Sequence, residues 1–136
     1  MSNHNTLQGV GDPEAGFGGG KQNLLNEWIA SNAKRYWLSS GGPLAPSGAE
    51  VVIIDDPQMP ALILIIKKVR PEAKIINCCH IQVRSDLVDR PGSPQEQVWR
   101  WVWSCITGGC RHQSSSGQVC STRCSVGDGW VVARLH

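Results

Sequence analysis

At 136 residues the chain has room for one ordinary domain. A net charge of +2, with both signs spread along the sequence, leaves no clustered basic face and argues against nucleic acid as a partner. The opening MSNHNTLQG lacks a basic segment followed by an apolar one, and the longest apolar stretch, Ala61–Ile66, falls far short of the roughly 20 residues of a membrane span. The expectation is therefore a soluble, cytoplasmic chain with no membrane partner.

Residues 1–20 read as loop, rich in glycine. The stretch GFGGGK at 16–21 is no phosphate loop, because Ala15 takes the first glycine position, Gln22 takes the Ser/Thr position, and no strand precedes it. Lys21–Trp37 has helical spacing, with Leu24, Leu25, Trp28 and Ile29 followed by Ala33 and Trp37. The turn-rich SSGGPLAPS at 39–47 then connects to Val51–Ile54, a β-branched run of the kind buried on both faces of a parallel sheet. Pro60–Val69 is expected to be a helix, apolar on most sides until Lys67 and Lys68 near its C-terminus, and Pro71 stops it. Lys74–Asn77 is a second strand, so residues 51–77 form a βαβ unit with an expected right-handed crossover. Pro94–Ile106 begins a further amphipathic helix with Val98, Trp101, Val102 and Ile106 on one face.

Composition changes near Ser104. Cys105, Cys110, Cys120 and Cys124 crowd a tail with six serines, five glycines and a single acid, Asp128. Their C-x4-C-x9-C-x3-C spacing lacks the tight pairs of a zinc site, so no metal is expected. Cys78 and Cys79 read as small buried residues, and the tryptophans as packing groups. The organisation is a domain at 1–103 followed by a tail at 104–136.

In open α/β sheets ligands sit outside the carboxyl ends of the strands. Asp55 and Asp56 follow one strand end; Cys78, Cys79 and His80 follow the next. Two carboxylates and an imidazole are thus expected to face one crevice. The competing reading of Asp56 is a cap on the helix after it, since Asp-Pro is a common helix entry.

Three blocks, HNTLQGV (4–10), VVIIDDPQMPALI (51–63) and CHIQVRSDLVDRPGSPQEQVWRWVW (79–103), resemble the fungal trehalose phosphorylases, also called trehalose synthases, in family 4 of the retaining glycosyltransferases. The resemblance implies an α/β fold, part of the Rossmann-like N-terminal domain of a glycosyltransferase-B enzyme, with a parallel sheet and flanking helices. It implies interconversion of trehalose and phosphate with glucose and α-glucose 1-phosphate, with no cofactor. It also implies that the start of that domain and the whole donor-binding domain lie outside this chain, leaving it inactive alone and prone to self-association as a homo-oligomer. On matching positions, Asp56 and His80 take the catalytic roles, while Asn5, Gln8, Asp55 and Arg84 contact substrate. The family has an aromatic, an arginine and a small residue before His-Ile, where this chain has Asn77, Cys78 and Cys79. The tail departs altogether. Gly108–Cys124 can be back-translated so that a one-base shift yields the family's ISHPV…FVP block, which makes the tail a shifted-frame product. The alternative is a small non-enzymatic carbohydrate-binding or bioactive protein with a disulfide- or metal-stapled tail.

Overall fold

The computed structural model describes residues 3–12, 15–111, 121–126 and 129–134, with side chains through residue 109. The opening segment is not all loop. Asn3–Leu7 forms a short helix, α1, which ends where Gly9 takes a left-handed φ of 73°. A Cβ on Gly9 would lie 2.8 Å from Leu87 Cδ1, so both conformation and space require glycine.

Helix α2 spans Gly19–Asn32 and closes in a π-helical turn at Ala33–Trp37. Its buried side reduces to Ile29 and Ala33, while Leu24 and Trp28 stand exposed. The apolar side chains whose spacing marks the helix therefore divide between core and surface. Phe17, just before α2, is fixed from two sides. Its backbone N donates to Gln97 Oε1 at 2.7 Å, and its ring meets Trp101 edge-on at 5.3 Å.

The expected βαβ unit is present. Strand β1 is Val51–Asp55, helix α3 is Ala61–Val69, and strand β2 is Lys74–Val83. The strands are parallel, in register from Val51 opposite Lys74 to Asp55 opposite Cys78. Strand β2 runs six residues beyond the expected Asn77. From Lys74 onward its residues alternate between solvent and core, burying Ile75, Asn77, Cys79, Ile81 and Val83. Strand β1 is not buried on both faces. Val51 and Ile53 are exposed on one side, and Ile54 is buried on the other.

The connection from α3 to β2 is held by two buried cations. Lys67 is not a solvated helix-end charge: its Nζ donates to the carbonyls of Pro71, at 3.0 Å, and of Ala73. Arg70 Nη1 donates to Ala49 O at 2.8 Å, just ahead of β1, and Arg70 Nε bonds Glu72 Oε1 at 3.1 Å. Glu72 is held below the usual carboxylate range, chiefly by its own backbone N–H and then by Arg70.

After β2 come a single helical turn, α4 (Ser85–Val88), and the long helix α5 (Pro94–Arg111). Ser93 caps α5, its Oγ accepting from Glu96 N at 3.0 Å and donating to Leu87 O at 2.7 Å. The buried face of α5 is Val98, Trp101, Val102, Cys105, Ile106 and Gly109, the spacing of an amphipathic helix. That face crosses the composition change near Ser104 without interruption. At Gly109 helices α3 and α5 come so close that a Cβ would overlap Ile63 Cγ2.

Strands β3 (Ser121–Val126) and β4 (Gly129–Arg134) complete a four-stranded sheet of order β1-β2-β3-β4. Strand β3 is parallel to β2, with a register shift between Cys79 and Val83, and β4 returns antiparallel to β3. Part of the tail thus shares a sheet with the rest of the chain. Helices α3 and α5 pack against the face that carries Ile54, Ile75, Cys79 and Ile81, forming one core. The chain is a mixed α/β domain, with helices packed on a sheet that is parallel from β1 to β3 and antiparallel at β4.

Candidate functional site

The site is built where β1 ends. Asp55 continues the strand on its exposed side, and the chain then turns sharply. Asp56 has a φ of 72°, the one described non-glycine residue in the left-handed region. Two backbone bonds hold the turn: Asp56 N donates to Cys78 O at 3.0 Å and to Asp55 Oδ1 at 2.9 Å. A left-handed aspartate is tolerated but strained, and such positions cluster at functional sites. The strain does not serve helix entry. Helix α3 has Pro60 at its N-cap and no side-chain capping bond, so Asp56 is not the helix cap.

The turn sends the two carboxylates to different imidazoles. Asp55 accepts from His80 Nδ1, which lies 2.9 Å from Oδ1 and 3.0 Å from Oδ2. Asp56 Oδ2 accepts from His4 Nδ1 at 2.8 Å. Because an ionised carboxylate can only accept, the proton in each couple sits on Nδ1, which leaves Nε2 as the nitrogen to meet a ligand. His80 and Asp55 are largely solvated, whereas the His4–Asp56 couple is about one-third exposed. Asp56 Oδ1 is buried without a hydrogen-bond partner. A buried acceptor left unmade is costly, and one beside a strained turn is a natural place for a ligand donor.

Asp56 and His80 are each bonded to another partner, His4 and Asp55 respectively. His80 does not follow a strand end. It lies within β2, two residues past Cys78, where the pairing with β1 stops. His4 escaped the sequence reading, although it opens the HNTLQG block; the signal was a histidine next to Asn5.

Helix α1 brings His4 to this edge through three attachments. Asn3 Nδ2 donates to Pro57 O at 3.2 Å, His4 bonds Asp56, and Arg84 N donates to Leu7 O at 3.0 Å. Asn5 is exposed on α1, and Gln8 is half-buried just after it. Arg84 closes the far end of β2. Its guanidinium meets Asp86 through two bonds of 2.8 Å, which raise the arginine's pKa and lower the carboxylate's. Arg84 is therefore committed to Asp86 and reaches a ligand only by sharing it.

Cys78, Cys79 and Cys105 are not in disulfides, and burial pushes the Cys105 thiol up to about 11. The side chains of Cys110, Cys120 and Cys124 lie outside the described residues, and with them the question of a stapled tail. Among the described residues no group of three or more metal-ligating side chains is arranged to hold an ion, and no helix is long and apolar enough to cross a membrane.

Two carboxylate–imidazole couples thus lie toward the carboxyl edge of the parallel β-α-β unit of an α/β domain, the edge at which open α/β sheets hold their ligands. Comparison with known proteins narrows that class. The family described as "Trehalose synthase, N-terminal domain" matches residues 1–113. The trehalose phosphorylase of Pleurotus pulmonarius is 52% identical over 105 residues, covering 77% of this chain and 14% of that protein. Those of Grifola frondosa and Pleurotus sajor-caju are each 50% identical over the same length and shares. No solved structure matches. The chain belongs to the trehalose synthase N-terminal domain family, and it spans about one-seventh of the length of these relatives.

Proposed function

We propose that this chain is the sugar-binding part of a retaining glucosyltransferase, built as a partial Rossmann-like N-terminal domain of the glycosyltransferase-B type. The whole reaction interconverts trehalose and phosphate with glucose and α-glucose 1-phosphate, without a cofactor and in the cytoplasm. Asp56 and His80 are the candidates closest to the chemistry, and Asn5, Gln8, Asp55 and Arg84 the candidates for holding hydroxyls. His4 joins them as the residue that orients Asp56.

The observation that carries this reading is the strained Asp56, with one carboxylate oxygen held by His4 and the other buried and unpaired, in a chain of this family. A sugar hydroxyl supplies the donor that Oδ1 lacks. His80, oriented by Asp55, offers Nε2 to another hydroxyl as the glycosidic bond breaks. Transfer between two sugars requires donor and acceptor held together. A chain presenting one wall of the cleft is expected to bind sugar without turning it over.

The test is a titration of glucose and trehalose followed by NMR of the His4 and His80 rings. Binding in the millimolar range, about −4 kcal/mol, should move both imidazoles, and Asp56→Asn should weaken it. If neither ring responds at concentrations well above that range, the reading fails.

A further inference from the structure

We propose that Cys79 and Cys124 are the two halves of a redox-controlled staple, a disulfide that joins β3 to β2 beside the ligand edge. Strand β3 keeps register with β2 from Ile76 opposite Ser121 to Cys79 opposite Cys124. Partners in a parallel ladder share a face of the sheet, so the position of Cys124 belongs to the core face together with Cys79. Paired strands lie about 4.8 Å apart, inside the roughly 4.4–6.8 Å between Cα atoms that a disulfide spans. The ladder breaks immediately after this pair. Between it and the next, Val83 opposite Val126, β2 carries three residues and β3 carries one. A backbone released from regular pairing on one side has the freedom to adopt the closer Cβ spacing of a bridge. The register sets no other described cysteines opposite each other: Cys78 lies on the outer face, level with Asp55 and Arg123, and Cys105 belongs to helix α5.

The staple closes by exchange with a small disulfide such as oxidised glutathione. Because Cys79 is buried, the first attack falls to Cys124. Its thiolate bonds one sulfur of the small disulfide and expels the other as a thiol. The thiolate of Cys79 then attacks the Cys124 sulfur and expels the second small thiol. Two protein thiols lose two protons and two electrons, and one small disulfide is reduced to two thiols. The bond closes a loop of about 45 residues, which restricts the unfolded chain and fastens β3 to the strand that carries His80. A reducing thiol reverses both steps and releases β3.

The experiment equilibrates the full chain in glutathione buffers of graded oxidised-to-reduced ratio, blocks remaining thiols by alkylation, and maps tryptic peptides without reduction. In the oxidised buffers a peptide of residues 75–84 should appear linked to one of residues 124–134. The Tm should rise by about 10 °C and fall back on addition of dithiothreitol. Cys78 and Cys79 share a peptide, so variants separate them: the link should survive Cys78→Ser and vanish, with the rise in Tm, from Cys79→Ser and Cys124→Ser. Should Cys79→Ser not fold, Cys78→Ser and Cys124→Ser decide the matter. The proposal is overturned by a link that is lost in Cys78→Ser, by oxidation that joins Cys124 to a different cysteine or to a second chain, or by no link at any ratio. None of these outcomes depends on sugar binding.

Discussion

Replacing Asp56 with glycine is expected to stabilise the fold. At a φ of 72° an aspartate carries strain of about 1 kcal/mol, which glycine does not. Removing the carboxylate also removes the buried, unpaired Oδ1, a gain of about 1 kcal/mol. Against this stand the partly exposed bond to His4, roughly 0.5 kcal/mol, and the extra freedom of glycine in the unfolded chain, roughly 0.7 kcal/mol. The net gain is about 1 kcal/mol, or roughly 4 °C in Tm for a chain of this size. Alanine also sheds the unpaired Oδ1, but its Cβ costs up to about 2 kcal/mol in the left-handed region, so Asp56→Ala should lose roughly 0.5 kcal/mol. The stability order Gly, Asp, Ala can be read from urea denaturation of the three proteins. A helix cap would give another order, because exchanging a capping aspartate for glycine costs a few tenths of a kcal/mol. If Asp56→Gly is less stable than the wild type, the carboxylate is a structural member of the turn and not a group held there for a ligand.

Two further substitutions probe the frame around the site. Ser93→Ala removes the cap of α5 and should cost about 1 kcal/mol in denaturant unfolding, while Gly109→Ala should cost more, about 2 kcal/mol, by forcing α5 away from Ile63. The Cys105 thiol, raised from 9.0 to about 11 by burial, stays protonated in the folded chain while the unfolded chain loses its proton. The associated stability is complete below pH 9 and is lost as pH rises toward 11. The loss is about 2 kcal/mol, and it should be absent from the same melting series on Cys105→Ala.

The β-α-β unit was legible because its signals are local. A Val/Ile run, an apolar helix and the prolines at 57, 60 and 71 mark its elements, and α5 announces itself by spacing alone. Other features depend on distant partners. Helix α1 has five residues and no periodicity to reveal it; its bonds reach Pro57, Asp56 and Arg84, more than fifty positions away. Strand β2 was cut short at Asn77 because asparagine and paired cysteines are poor strand formers, yet Asn77 and Cys79 occupy core-facing positions. The apolar run of β1 could not disclose that half of it faces outward. Topology brings the two carboxylates to the end of β1, but the division of partners turns on one dihedral angle at Asp56, which residue type does not specify.

The two buried cations at the C-terminal end of α3, Lys67 and Arg70, act on the site from the opposite end of the strands. Lys67 gathers the carbonyls of Pro71 and Ala73, Arg70 reaches back to Ala49, and Lys74 N bonds Glu50 O at 2.9 Å. Together they work as an alignment pin, fixing which residue of β1 begins opposite which residue of β2. Every later pairing inherits that choice. A slip of one residue would turn the partner strand over. His80 would leave Asp55 for the core side, and Cys79 would take its place beside the carboxylate. Whether an aspartate meets an imidazole or a thiol at the ligand edge is therefore decided some 13 Å away, by a lysine and an arginine that never approach it.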